Sequence, residues 1–140
     1  MSQGTIYQSV ILERSRSPRY RRPLAGWANQ GLCRNPLCGD EVTVELRCDG
    51  TGRIEEAGFV AEGCAIMLAS ADLMAESVMG LAADQARSLG SAFGAMLEGG
   101  APVANRHLAS FAPLRDYQAR RQCATLPWQA LGAALSKGDQ

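Results

Sequence analysis

Three cysteines constrain this chain more than any other feature, because distant segments must fold together before their thiols can meet. Their contexts are Asn35-Pro36-Leu37-Cys38-Gly39-Asp40, Glu62-Gly63-Cys64-Ala65-Ile66 and Arg120-Arg121-Gln122-Cys123-Ala124-Thr125-Leu126. Cys38 and Cys64 are separated by 26 positions, and Cys64 and Cys123 by 59. Three thiolates and the Asp40 carboxylate supply four ligands, which suits a tetrahedral zinc or iron site. The pattern indicates sulfur or metal chemistry rather than conversion of an organic substrate.

The length and composition are those of an ordinary globular protein. With 140 residues, 46% of them apolar and 20% charged, we expect a single domain over residues 1–140. No apolar run approaches the length of a membrane span, and the N-terminus lacks the pattern of a signal peptide. We therefore expect a cytoplasmic protein without a membrane partner. Thiols stay reduced in that compartment, so five cysteines favour metal or sulfur chemistry over disulfides.

The charge distribution is more informative than the net charge. The net charge is zero, which gives no reason to expect a nucleic acid partner. Five arginines nevertheless fall within nine positions: Arg14, Arg16, Arg19, Arg21 and Arg22. Two interpretations stay open, a solvated basic turn after a helix and a docking patch for an acidic protein surface.

A β-hairpin is the clearest local prediction. Residues 41–48 alternate apolar and polar side chains, 49–52 have turn chemistry that includes Asp49-Gly50, and 53–61 form the return strand. Such a hairpin places Cys38 at the entry of one strand and Cys64 just past the end of its antiparallel neighbour, so it can bring these two thiols together. Residues 24–37 predict an irregular or edge strand.

Helical patterns occupy most of the remaining chain. We expect helices over residues 5–15, 65–79 and 84–98, and a last helix that begins near Thr125 with Pro127 in its first turn. The predicted fold class is α+β, with a small three-stranded antiparallel sheet and helices packed on one face.

The local contexts of the thiols predict their ionisation. Cys64 opens a predicted helix, where unpaired N–H groups favour a thiolate. Cys123 precedes the expected N-cap Thr125 and follows Arg120 and Arg121, and both features would lower its pKa. A thiolate is both a metal ligand and the nucleophile that attacks a persulfide. One site could therefore serve both purposes.

Other residues with suitable chemistry fit structural roles better. Cys48 alternates with apolar residues and is expected to face the core. Cys33 lies five positions before Cys38, but the intervening Pro36 does not favour a redox pair. His107, the one histidine of the chain, lies in a polar stretch and is expected at the surface rather than in a metal site.

The cysteine contexts resemble those of the U-type iron–sulfur cluster assembly proteins, the IscU/NifU/SufU superfamily. The likeness covers nearly the whole chain and runs through Ile11-Leu12-Glu13, Ser17-Pro18-Arg19, the Asn35–Asp40 and Gly63–Ala71 blocks, and the segment from Arg120 to Trp128. Two features make the chain similar to the SufU branch. These are the long spacing between Cys64 and Cys123, and Gln122 at the position where scaffold proteins carry histidine. SufU proteins typically have a basic residue at the position of Gln122, so we expect the thiolate of Cys123 to be less activated here than in those proteins.

The resemblance implies specific roles. It implies a zinc site formed by Cys38, Asp40, Cys64 and Cys123, with Cys123 as the catalytic sulfur acceptor. It implies that the sulfur comes as a persulfide from a pyridoxal-phosphate-dependent cysteine desulfurase of the SufS type, and that Arg120 contacts that desulfurase. Downstream partners would be iron–sulfur scaffold or acceptor proteins.

Three functions are compatible with these observations. The first is a zinc-dependent sulfurtransferase that activates a cysteine desulfurase. The second is a scaffold on which a transient iron–sulfur cluster is assembled and passed on. The third is an adaptor in which zinc is purely structural, although an aspartate ligand is less usual in closed structural zinc sites.

Overall fold

A computed structural model describes residues 3–26, 29–36 and 39–138. The elements run in the following order: α1 Gln3–Arg16, β1 Asn29–Asn35, β2 Asp40–Cys48, β3 Ile54–Glu62, α2 Ala65–Val78, α3 Ala83–Leu97, α4 Arg106–Ala109, a 3-10 helix Ala112–Asp116, and α5 Gln118–Gly138. The predicted α+β class is confirmed. Within these described ranges no helix combines the length and apolarity needed to cross a bilayer.

The sheet is antiparallel, with strand order β1-β2-β3. Asn35 pairs with Asp40 across the β1–β2 turn, and Glu41 pairs with Glu62 at the end of β3. The start of β2 and the end of β3 therefore lie side by side, which confirms the predicted hairpin. Cys48 pairs with Ile54 at the opposite end of the sheet.

Helices α5 and α2 cover one face of the sheet, as predicted. The alternating positions Val42, Val44 and Leu46 of β2 are fully buried on this face. Gly31 in β1 allows the closest approach, because a Cβ built there would lie 2.1 Å from the carbonyl oxygen of Ala130 in α5. Gly31 is thus a packing requirement of a regular edge strand, which is one of the two alternatives predicted for residues 24–37.

The start of the last helix was predicted wrongly. α5 begins at Gln118 rather than near Thr125, and Pro127 lies in its interior. Proline lacks an N–H and usually interrupts a helix, which is why the sequence favoured a start beside it. Burial compensates here, since Trp128 stacks on Phe93 with ring centroids 5.1 Å apart. The Ser70 hydroxyl also donates a 2.5 Å hydrogen bond to the carbonyl of Ala124.

The N-terminal arginine cluster does not form one surface. Arg14 is only 1% exposed, and its guanidinium donates to Asp72 and Glu76 of α2, each at 2.7 Å. The other carboxylate oxygen of Asp72 accepts the backbone N–H groups of Arg19 and Tyr20. Neither interpretation of the cluster fits Arg14, which joins α1 to α2 through a buried ion pair.

Candidate functional site

Asp40 begins β2 at the end of the sheet where the predicted site residues converge. The preceding Gly39 has a φ of +78°, a conformation that glycine adopts without strain, and its N–H donates to the carbonyl of Asn35 at 2.9 Å. This turn directs Asp40 inward, where it is only 4% exposed.

Cys64 sits beside Asp40 because β3 ends next to the start of β2. It is the N-cap of α2, and its Sγ accepts the N–H of Met67 at 3.4 Å. Its own backbone N–H donates to Oδ1 of Asp40 at 3.3 Å. The preceding Gly63 leaves the necessary room, since a Cβ there would lie 2.7 Å from both Cγ and Oδ1 of Asp40.

Cys123 reaches the same point from α5. It lies within the helix rather than before its N-cap, so the first-turn end effect expected from the sequence does not apply to it. The hydrogen bond from Ser70 of α2 to the next residue, Ala124, holds this part of α5 against α2. Cys64 is the N-cap of α2. Because α5 packs against α2, Cys123 lies close to Cys64.

Asp40, Cys64 and Cys123 form a cluster that could hold a metal ion. One ligand atom from each residue lies within 4.8 Å of the other two. Oδ2 of Asp40 is buried and has no hydrogen-bond partner among the described residues. A buried carboxylate oxygen without a partner costs free energy, and a cation would remove that cost. Two sulfurs and one carboxylate oxygen are suitable ligands for zinc, so these residues fit the metal.

The protons on the two thiols are held firmly when no metal is bound. Burial raises the pKa of Cys64, and the N–H of Met67 only partly offsets this. Burial also raises the pKa of Cys123 far above that of an exposed thiol, and the neighbouring Cys64 and Asp40 raise it further. The lowered pKa values predicted from the sequence are therefore wrong for the metal-free chain. A bound cation reverses this effect, because it favours the thiolate.

The remaining candidate residues lie elsewhere or outside the described part. Cys38 lies outside the described residues, so its place in the site stays a prediction. Cys33 is not in the cluster, and its thiol donates to Oε1 of Gln129 at 3.3 Å. Exposed His107 belongs to α4 and is also not in the cluster. Arg120 lies one helical turn before Cys123, with its guanidinium 5.5 Å from the ring centre of Tyr117.

Two features of the site were missed from the sequence. The steric role of Gly63 could have been suspected, since a glycine directly before a helix-opening cysteine leaves space for a neighbour. The contact between Tyr117 and Arg120 follows from their spacing of three residues once α5 is known to start at Gln118.

A cleft of about 250 Å³ runs beside the turn of α5 that carries Cys123. Its walls come from the end of β1 and from α5, and the lining residues are Arg34, Asn35, Pro36, Gln122, Leu126 and Gln129. Because Cys123 itself is only partly buried, an incoming reactant has a route towards this part of the helix.

These observations define an α+β protein whose candidate site combines two thiols and a buried carboxylate at the end of a three-stranded sheet. The family model of the NifU-like N-terminal domain matches residues 6–137. The chain belongs to this family, which includes the IscU, NifU and SufU proteins, and it is a protein of iron–sulfur cluster assembly.

Individual relatives agree with this assignment. The chain is 32% identical over 141 residues to the zinc-dependent sulfurtransferase SufU of Bacillus subtilis, covering 96% of this chain and 92% of the relative. It is 30% identical over 135 residues to the iron–sulfur cluster assembly scaffold protein IscU of Streptococcus pyogenes, covering 94% and 84%. The crystal structure of an N-terminal NifU-like protein from Brucella abortus superposes with a TM-score of 0.85 at 28% identity, covering 99% and 98%.

Proposed function

We propose that this protein is a zinc-dependent sulfurtransferase that accepts persulfide sulfur from a SufS-type cysteine desulfurase through Cys123. The observation that carries the proposal is the convergence of Asp40, Cys64 and Cys123, one ligand atom from each lying within 4.8 Å of the others, beside a buried Asp40 oxygen that has no hydrogen-bond partner among the described residues. The similarity to a zinc-dependent sulfurtransferase over 96% of the chain supports it.

Zinc would be held by Asp40, Cys64 and Cys123, with Cys38 as the fourth ligand. Cys38 is two residues from Asp40, so the chain limits the separation of their Cα atoms to about 7 Å. Asp40 itself pairs with Asn35 at the end of the sheet. A bound zinc ion would keep the thiols ionised at neutral pH.

Cys123 is the proposed sulfur acceptor because it is partly exposed and lies on a helix beside an open cleft. Its thiolate attacks the outer sulfur of the donor persulfide, and a new S–S bond forms at Cys123. The S–S bond of the donor breaks, and the donor cysteine leaves as a thiolate. The products are a Cys123 persulfide and the regenerated donor thiolate, so no external oxidant or reductant takes part in this step.

The test is the turnover of a SufS-type desulfurase on cysteine, with substoichiometric zinc-loaded protein and a reductant present. Strong stimulation by the wild type that is lost in Cys123→Ser would support the proposal. Cys33→Ser is the matched control, because Cys33 is also partly exposed but is not in the cluster. Equal stimulation by wild type and Cys123→Ser would contradict it.

A second candidate function is a scaffold for a transient iron–sulfur cluster. The similarity to a scaffold protein over 94% of the chain favours it, and thiolates with one other ligand can hold such a cluster. This function predicts that anaerobic addition of iron, cysteine and a desulfurase produces a brown protein with iron and sulfide in equal amounts. Failure of the wild type to stimulate the desulfurase, together with cluster formation, would favour the scaffold.

A further inference from the structure

We propose that Tyr117 is a positioning residue that holds Arg120 ready for a carboxylate of the protein that delivers sulfur to Cys123. This inference rests on the proposed function and adds a residue to which neither the sequence motifs nor the comparisons assign a role.

The surface from Ser110 to Cys123 is basic. It contains three arginines, Arg115, Arg120 and Arg121, against one acidic residue, Asp116. Arg121 is occupied within the chain, because its Nη1 donates to the carbonyl of Arg115 at 2.5 Å. Arg120 and Arg115 are exposed, and in the described part of the chain neither guanidinium forms an ion pair. Charge complementarity therefore favours an acidic partner surface.

The guanidinium of Arg120 lies over the ring of Tyr117. The distance from Cζ to the ring centre is 5.5 Å, within the range of an attractive cation–π contact. A guanidinium that lies over a ring keeps its in-plane N–H donors available for a carboxylate. The contact also restricts a side chain that otherwise loses considerable rotamer entropy when it binds.

The backbone fixes Tyr117 where this contact requires it. Tyr117 joins the 3-10 helix to α5, its N–H donates to the carbonyl of Leu114 at 2.8 Å, and its own carbonyl accepts the N–H of Arg121 at 2.9 Å. Leu114 is fully buried and anchors the junction to the core. The ring of Tyr117 is nevertheless unusually open for a large apolar group, since the residue is 57% exposed. Packing in the core therefore does not explain it.

The position of Arg120 relative to Cys123 connects the cation–π contact to sulfur transfer. Arg120 and Cys123 are three residues apart on α5, so their Cβ atoms lie about 5–6 Å apart on one side of the helix. A donor whose acidic group binds Arg120 is thereby held beside the thiol that accepts its sulfur.

The experiment is a double-mutant cycle on binding to the cognate cysteine desulfurase. The dissociation constant and the maximal stimulated turnover are measured for wild type, Tyr117→Leu, Tyr117→Phe, Arg120→Ala, and the double variant Tyr117→Leu with Arg120→Ala. We expect Tyr117→Leu to weaken binding roughly two- to five-fold, the range for an exposed cation–π contact, with the maximal turnover unchanged. Tyr117→Phe keeps the aromatic ring and should bind like the wild type.

The cycle distinguishes positioning from direct contact. In the Arg120→Ala background, Tyr117→Leu should cause no further loss, because the ring then has no guanidinium to hold. Arg53→Ala is the control and should leave binding unchanged, since it removes an exposed arginine at the end of the sheet opposite the cluster. The inference would be overturned if Tyr117→Leu weakened binding equally in the wild-type and Arg120→Ala backgrounds, or if Tyr117→Phe weakened binding.

Failure of the proposed function gives a different result. If wild type neither binds nor stimulates the desulfurase, both the function and this inference are wrong. If wild type does both and Tyr117→Leu is indistinguishable from it, only the role of Tyr117 is wrong. Thermal unfolding of each variant, followed by circular dichroism, excludes loss of fold as the cause of weak binding.

Discussion

Gly63 provides the space that the carboxyl group of Asp40 occupies. A Cβ at position 63 would lie 2.7 Å from Cγ and Oδ1 of Asp40 and 2.5 Å from Cε of Met67. The φ of Gly63 is outside the left-handed region, so the requirement for glycine comes from the neighbouring atoms rather than from the backbone conformation. The glycine thus controls where a candidate metal ligand lies.

Gly63→Ala is therefore expected to weaken zinc binding by displacing Asp40. We expect a loss of roughly 10- to 100-fold in affinity, the range for groups that orient a metal ligand. The measurement is competition for zinc against a chromogenic chelator at pH 7.5. Gly94→Ala is the control, because no atom beyond its own stretch of α3 lies within 4 Å of a Cβ built at Gly94. Unchanged zinc affinity in Gly63→Ala would show that Asp40 does not depend on this space.

The metal-free protein should lose stability at alkaline pH because of its buried thiols. The pKa of Cys123 and that of Cys64 are raised in the folded chain, so the folded state holds these protons more tightly than the unfolded state does. Their contribution to the free energy of unfolding is present below the pKa of an unfolded thiol, about 8.5, and is lost as the pH rises towards the folded values. Stability should thus fall above roughly pH 8.5.

Urea unfolding between pH 7 and 10, with a chelator and a reductant present, measures this dependence. Cys123→Ser removes one of the raised thiols, so its stability should fall less steeply with pH than that of the wild type. Cys33→Ser is the control and should follow the wild type. Parallel curves for wild type and Cys123→Ser would mean that other groups cause the alkaline loss.

Local patterns predicted the part of the site that depends on the hairpin. Alternation in residues 41–48 and the Asp49-Gly50 turn define two paired strands, and pairing alone brings Asp40 next to Cys64. The adjacency of Asp40 and Cys64 follows from antiparallel strand pairing and does not depend on how the core packs. The position of Cys123 beside them depends instead on how α5 packs, and it was inferred from the ligand set and the family resemblance rather than from a local pattern.

Three errors show where local patterns fail. Pro127 suggested a helix start, but α5 continues through it because packing in the core outweighs the lost hydrogen bond. Arg14 was grouped with its exposed neighbours, although its partner Asp72 is 58 positions away and becomes adjacent only when α1 packs on α2. Burial likewise reversed the pKa shifts expected from local charges, since desolvation depends on the whole fold.

The buried ion pair between Arg14 and Asp72 should be a major contributor to stability. Arg14→Ala would leave a fully buried carboxylate with only the backbone N–H groups of Arg19 and Tyr20 as partners. Breaking one side of a buried pair costs about 3–5 kcal/mol, and we expect a loss of this order in the free energy of unfolding. Urea unfolding of the zinc-loaded protein at pH 7 measures it.

Arg16→Ala gives the control for this substitution, because Arg16 belongs to the same helix but is exposed. It should change the free energy of unfolding by no more than about 0.5 kcal/mol. A similar small effect in Arg14→Ala would indicate that the Asp72 carboxylate is satisfied by the two N–H groups alone.

The two cysteines outside the site should be dispensable for metal binding. Cys33→Ser keeps a group that can donate to Gln129, and Cys48 lies at the end of the sheet opposite the cluster. We expect both Cys33→Ser and Cys48→Ser to retain one zinc ion per chain, whereas Cys64→Ser should retain much less after dialysis, because serine replaces a thiolate ligand with a poorer one. Metal analysis by mass spectrometry gives the stoichiometry. Loss of zinc from Cys33→Ser comparable to that from Cys64→Ser would instead place Cys33 among the ligands.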